Sequence, residues 1–287
     1  MGKKKIKVHC SGIMALMSNT RDNKPLTELQ WDEIREYLDR EKPLTDNQVS
    51  KLKELVSKQT KYNPKTLTPA AKYDLIKMYS WSMYGMGSFF AGTADNPASE
   101  KGVVQENESI RLLSELDGIK YKKNIKKYSN EYIVGIPDIV TKVNGVRKVI
   151  EIKTPIDINT FLINCDTGLS KQYLYQMRGY LELTNSDIGE VCFCLVNAPP
   201  ELIAQEIKKI KTKGYLYSWS DEKIEALVLQ ANHNMIFDNI PIERKVIRFS
   251  VNRDPNFMDD VYQRVTIARE WIAGIHKTHT KKCRRKK

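Results

Sequence analysis

No run in the sequence approaches eighteen consecutive apolar residues, so no membrane-spanning helix is expected. The basic start is followed only by the short apolar stretch Gly12–Met17, too brief for a signal peptide. Ile6 occupies the position where a myristoylation motif needs Ser or Thr. Cysteine is scarce and scattered: Cys10, Cys165, Cys192, Cys194 and Cys283 are odd in number and include no CxxC. The four histidines do not cluster, so zinc-ribbon, zinc-finger and disulfide-framework readings fall away. Together these absences lead us to expect a cytoplasmic protein of a reducing compartment with no membrane partner.

What remains is an ordinary balance of 41% hydrophobic and 29% charged residues over 287 positions, enough for a sizeable buried core. The charge is less ordinary. Lys and Arg outnumber Asp and Glu by 47 to 35, for a net +12. The last eleven residues carry seven basic side chains and no acid, and the first seven carry four lysines, again with no acid. Removing those eleven charges leaves +1 on residues 8–276. The body is nearly neutral and the excess sits on two arms, which suits either polyanion contact without base specificity or a solvated, solubilising terminus.

Residues 20–80 read as three helices. Pro25-Leu26-Thr27-Glu28-Leu29-Gln30 recurs as Pro43-Leu44-Thr45-Asp46-Asn47-Gln48, each with Thr as N-cap and Gln closing a capping box. Leu67-Thr68-Pro69 opens the third with Pro at its first position. Residues 85–102, rich in Gly, Ala, Ser and Pro, read as a loop, and Val103–Leu116 as a helix stopped by Gly118. Two β-rich runs, Tyr132–Val143 and Val146–Thr154, flank Asn144-Gly145, a strong hairpin signal. A helix over 168–183, a strand Glu190–Val196, helices near 200–212 and 220–230, and a strand Val246–Val251 follow. A final helix runs from Pro255 to about His276, with Phe257, Val261, Val265, Trp271 and Ile275 on its apolar side. The class is α/β, a mixed central sheet flanked by helices with a helical N-terminal appendage.

The two-residue turn at 144–145 sets the hairpin register, placing Asp138 opposite Glu151. Cross-strand partners lie about 5 Å apart and share a face. Lys153 joins that face, while Ile150 and Ile152 point into a core. Two carboxylates so placed repel by about 3 kcal/mol at an effective dielectric near 20. A hard divalent cation would compensate them. So would Lys153 in a surface ion-pair cluster, and a bulge would separate them.

The order of residues adds a resemblance. Pro137-Asp138 followed by Glu151-Ile152-Lys153 resembles the PD-(D/E)xK nuclease signature. Gly102-Val103-Val104-Gln105-Glu106 is similar to the GxxxE element before it, and Gln176-Met177-Arg178-Gly179-Tyr180 to the QxxxY motif after it. Tyr173-Leu174-Tyr175-Gln176, and more weakly Val8-His9-Cys10-Ser11-Gly12-Ile13-Met14, resemble the bacteriophage lambda exonuclease (YqaJ-like, RecB-type) branch. The likeness spans residues 100–197; residues 20–80 and those after 200 carry no motif of it.

The resemblance implies a restriction-endonuclease-like core and Mg²⁺-dependent cleavage of DNA phosphodiesters, with Mn²⁺ able to substitute. It makes Asp138, Glu151 and the carbonyl of Ile152 metal ligands, Glu106 a holder of a second metal or its water, and Lys153 the group that orients or deprotonates water. Gln176 and Tyr180 would steady the site and contact the substrate strand, and Ser11 would contact substrate. The four cysteines of iron–sulfur relatives are missing, so no cluster is expected. The resemblance further implies 5′→3′ action on duplex DNA ends, a ring-shaped homotrimer, and a single-strand annealing recombinase as partner in phage-type recombination. A structure-specific or RecB-type endonuclease, an RNA-directed endonuclease and a catalytically silent DNA-binding module are the competing readings. The expected parts are a basic arm with the first core element over 1–20, a helical subdomain over 21–95, the nuclease core over 96–276 and a basic tail over 277–287.

Overall fold

The computed structural model describes residues 5–20, 23–85 and 97–284. Its elements in chain order are β1 (Val8–His9), α1 (Ile13–Met17), α2 (Glu28–Leu38), α3 (Asp46–Lys61), α4 (Pro69–Tyr84), α5 (Pro97–Val104) and α6 (Glu106–Asp117). Then come β2 (Tyr128–Ser129), β3 (Ile133–Gly135), β4 (Ile139–Val143), β5 (Val146–Lys153), α7 (Ile158–Thr167), α8 (Lys171–Thr184) and β6 (Ile188–Cys194). The chain closes with α9 (Pro200–Leu216), α10 (Asp221–Met235), β7 (Val246–Asn252) and α11 (Pro255–Arg284). It divides into two compact units. One contains residues 6–14 and 97–260, the other residues 15–20, 23–85 and 261–284.

The first of these units is mixed α/β, as the alternation of strands and helices predicts. Its strands form two sheets, one of order β1-β3-β2 and one of order β4-β5-β6-β7. The hairpin register is as the turn dictates: Ile139 pairs with Ile150 and Val143 with Val146. Asn144 and Gly145 both take positive φ, at 51° and 81°, as a type I′ turn requires. The run 132–143 is not one strand. Pro137 brings no N–H to a ladder. Asn124 secures the break, its N–H donating to the Asp138 carbonyl at 2.7 Å and its Nδ2 to the Pro137 carbonyl at 2.8 Å. Asp138 therefore stands at the head of β4, just beyond the paired residues. Beneath the sheet, Ile110 and Leu113 of α6 pack with Ile139, Ile150, Ile152 and Cys192, so β5 turns its isoleucines to that face and Glu151 and Lys153 to the opposite one.

α8 lies close against β3 because small residues permit it. A Cβ added at Gly135 would sit 2.5 Å from Cε1 of Tyr180 and 2.9 Å from Sγ of Cys10. Gly135→Ala should therefore shift the Tyr180 ring and cost about 1–3 kcal/mol, read as a lower denaturant midpoint at unchanged slope.

In the other unit the three N-terminal helices start where the sequence says. Thr27 and Thr45 each close a capping box, and Thr68 accepts from the Ala71 N–H at 3.1 Å ahead of α4. Leu26, Ile34 and Leu55 form a small core there. α11 continues past His276 to Arg284, since Lys281, Lys282 and their neighbours are good helix formers with nothing to stop them. Its buried stripe is Val261, Val265, Ala268 and Ile272, rotated from the expected Trp271 and Ile275. The larger side chains lie at its flank, with the Lys72 ammonium 6.0 Å from the Trp271 ring. Of the expected basic arms, Lys3, Lys4, Arg285, Lys286 and Lys287 lie outside the described residues, as does 86–96 of the expected loop. The segment from Pro97 is helical, as α5.

Candidate active site

Asp138, Glu151, Ile152, Lys153 and Glu106 line one cavity of about 530 Å³, together with Thr154, Tyr173, Asn164 and Phe193. Its carboxylates and lysine come from β4, β5 and α6, while α5, α7, α8 and β6 complete the lining. β4 presents Asp138 from its head and β5 presents Glu151 and Lys153 from its end. α6 opens on Glu106, and α7 adds Thr160 and Asn164.

Each carboxylate gives one oxygen to the protein. Asp138 Oδ2 accepts from the Ile152 N–H at 2.7 Å. Glu151 Oε1 accepts from Lys153 Nζ at 2.7 Å and from Gln176 Nε2 at 2.8 Å. Glu106 Oε2 accepts from Lys123 Nζ at 2.6 Å. The second oxygens of Glu151 and Glu106 are buried with no hydrogen-bond partner. Buried carboxylate oxygens are rarely left so, since each forfeits its hydration.

The electrostatics agree. Burial, then the negative charges of Glu151 and Glu106, push the Asp138 carboxyl up to about 8, against the pull of the Ile152 N–H and Lys153. Burial draws the Lys153 ammonium downward, but Glu151 and Asp138 outweigh it, so its pKa ends above the ordinary lysine value. In the metal-free chain its two acidic neighbours hold Lys153 as a cation. Among the described residues no group of three or more His, Cys, Asp or Glu is arranged to hold a metal ion. The residues present fit a different donor set: two orphaned carboxylate oxygens and an unfavourably charged third carboxyl, with room left for water. That is the oxygen-only, partly open set a hard divalent cation takes.

Gln176 and Tyr180 lie against Glu151. Both are buried, and Gln176 Nε2 bridges Glu151 Oε1 and the Tyr180 hydroxyl at 2.9 Å. They hold Glu151 from below. Ser11 is exposed on the short 3₁₀ turn after β1 and does not line the cavity. Glu108 turns away and pairs with Arg111 at 2.5 Å, and Cys192 and Cys194 are core residues.

Sequence reasoning missed three contributors. α7 begins with Asp157 capping the Thr160 N–H at 2.7 Å, but Thr160 supplies no capping box and β-branched residues and Asn dominate its first turns. Tyr173 places its ring 4.8 Å from Lys153 Nζ, a cation–π contact that the motif spacing alone does not reveal. Lys101, at 0% exposure, donates to the carbonyls of Pro155 and Ile156 at 2.9 and 3.2 Å. Burial lowers its pKa to about 8, with Asp157 opposing. It ties α5 to the loop that follows Lys153, and a lone lysine in a polar stretch gives no warning of this.

No family model and no curated protein matches the chain. In structure it is similar to the phage related exonuclease of Haemophilus somnus 129PT, at 19% identity over 96% of this chain and 97% of that one, with a TM-score of 0.62. It is also similar to an alkaline exonuclease (LHK-Exo) from Laribacter hongkongensis, at 12% identity over 98% and 95%, with a TM-score of 0.55. LHK-Exo in complex with dAMP aligns at 14% identity over 77% of this chain and 89% of that one, with a TM-score of 0.51. The class this defines is a mixed α/β fold with helix-flanked sheets. More narrowly, it is the fold of the phage-type exonucleases, as the motif resemblance led us to expect.

Proposed function

We propose that the protein is a metal-dependent deoxyribonuclease that removes nucleotides from the ends of duplex DNA, with Mg²⁺ as its ion and Mn²⁺ able to replace it. The observation that carries this reading is the cavity in which Asp138, Glu151 and Glu106 converge beside Lys153, with two carboxylate oxygens left unsatisfied. That one exonuclease of the same fold is in complex with dAMP supports a nucleotide as a ligand here. The unit of residues 6–14 and 97–260 would carry the chemistry.

A divalent cation held by Asp138, Glu151, Glu106 and the Ile152 carbonyl would supply Lewis acidity at the scissile phosphate and make water a better nucleophile. The chain's own groups do the rest. Gln176 and Tyr180 fix the Glu151 carboxylate. Lys153, charged and held by Glu151 and Tyr173, faces the phosphate and offsets negative charge as the transition state forms. Lys101 and Ser109, the latter 3.2 Å from the Thr154 hydroxyl, keep the loop after Lys153 in place. Following the family resemblance, we assign 5′→3′ polarity and a role in phage-type recombination in a bacterial cytoplasm, beside an annealing recombinase and as a ring trimer.

End-labelled linear duplex should be degraded in Mg²⁺ and spared in EDTA, and covalently closed circles should be spared in both. Circles cut as fast as linear DNA would replace the reading with an endonuclease. DNA bound but never cut would leave a silent binding module.

A further inference from the structure

The turn between α9 and α10 carries a surface that the cavity does not use. α9 ends in a tight turn: Ser218 N–H donates to the Tyr215 carbonyl at 3.4 Å and Trp219 N–H to the Gly214 carbonyl at 2.9 Å. Ser218 takes the left-handed conformation (φ 50°) that this Schellman arrangement requires. Gly214 is buried, and a Cβ there would meet Ile224 of α10 at 2.5 Å, so the two helices close on each other and the turn is firmly seated. Ser220 then caps α10 by accepting from the Lys223 N–H at 3.3 Å.

On this seated turn the apolar groups face outward. Tyr215 is 77% exposed, Leu216 75% and Tyr217 70%. The Tyr217 and Trp219 rings stack at 6.2 Å and 24°, and Lys223 Nζ lies 4.4 Å from the Trp219 ring. Lys208, Lys209, Lys211 and Lys213 are exposed on the last turns of α9, and no acid occurs between Ile207 and Ser220. Glu206 engages Lys209 at 3.4 Å, and Asp221, Glu222 and Glu225 lie on the α10 side. Solvent-facing aromatic surface is unusual unless a partner covers it. The partner must offer flat apolar faces and negative charge together. Unpaired nucleic acid does, whereas a duplex hides its base faces within the stack.

We propose that the α9–α10 turn is a binding platform for single-stranded DNA, with Tyr215 and Tyr217 stacking on bases, Trp219 backing Tyr217, and the α9 lysines on phosphates. Naming the ligand as the strand left unpaired when its complement is hydrolysed rests on the nuclease reading above. The platform itself does not.

The test uses the full chain in EDTA, so that no turnover enters, with a fluorescent thymidine homopolymer and an abasic strand of equal length and charge. The wild type should prefer the thymidine strand. Tyr215→Ala/Tyr217→Ala should weaken thymidine binding about tenfold or more and leave abasic binding unchanged, at 1–3 kcal/mol per stacked base. Lys208→Gln/Lys211→Gln/Lys213→Gln should flatten the salt dependence by about two in log–log slope. All five side chains are exposed, so circular dichroism should match the wild type. Equal wild-type affinity for the two strands would overturn the proposal. So would a tyrosine variant that binds thymidine normally, whether unchanged otherwise, reduced in molecular mass as a lost self-association face, or deficient in binding an acidic peptide. Platform binding without digestion of linear DNA would fault only the nuclease reading.

Discussion

Lys153→Met should lower the rate of duplex hydrolysis by at least about a hundredfold, the usual result of removing one preorganised electrostatic donor. Affinity for DNA in EDTA should stay close to that of the wild type. The expectation follows from where the ammonium is and how it is charged. It lies 2.7 Å from Glu151 Oε1 and 4.8 Å from the Tyr173 ring, on the wall of the cavity. Its pKa stands above the ordinary lysine value, because Glu151 and Asp138 outweigh the burial that would lower it. In the metal-free chain a lysine so held is a cation, and the role expected of it is charge and orientation. Lys153→Arg should recover only part of the rate, because a planar fork does not reproduce a compact point charge beside Glu151. The decisive measurement is the division of the effect. A fall in kcat supports transition-state stabilisation, whereas a change confined to KM would make Lys153 a ground-state phosphate contact.

How much of this was legible beforehand divides along physical lines. The hairpin was, because a two-residue Asn-Gly turn admits one register, which runs from Val143–Val146 to Ile139–Ile150 and leaves Asp138 just beyond it, lining the same cavity as Glu151. The helix starts at Thr27, Thr45 and Thr68 were too, because a cap is a local matter of one side chain and one N–H. The fold class followed from alternation, but its division into two sheets did not, because the break at Pro137 depends on Asn124 reaching across to it. Long-range hydrogen bonds of that kind leave no period in the sequence. The same holds for Lys101, whose partners lie more than fifty residues away, and for the direction in which Gln176 points. The helical extension to Arg284 failed for the opposite reason. A run of basic residues resembles a solvated tail, yet lysine and arginine are good helix formers where nothing interrupts them.

Asp138→Asn should flatten the pH response of the metal-free protein and remove its affinity for Mn²⁺. In the folded state the Asp138 carboxyl titrates near 8, raised chiefly by burial and then by Glu151 and Glu106, against an ordinary value of 3.8. The folded protein therefore holds a proton between those limits that the unfolded chain has released. Stability in EDTA must fall as pH rises across that window, with a slope of up to about 1.4 kcal/mol per pH unit from this one group. Below pH 4 both states are protonated and the penalty vanishes. Asn keeps the shape and carries no charge, so its Tm at pH 8 should exceed that of the wild type, and the gap should close towards pH 4. Calorimetry supplies the second readout. If the raised pKa reflects a donor set built for a cation, Mn²⁺ should stabilise the wild type most at the pH where the bare carboxylates repel most, and should leave the variant unmoved. Unchanged Mn²⁺ affinity in Asp138→Asn would strike Asp138 from the ligands. A Tm gap independent of pH would show that the carboxyl is not forced into its neighbours' field.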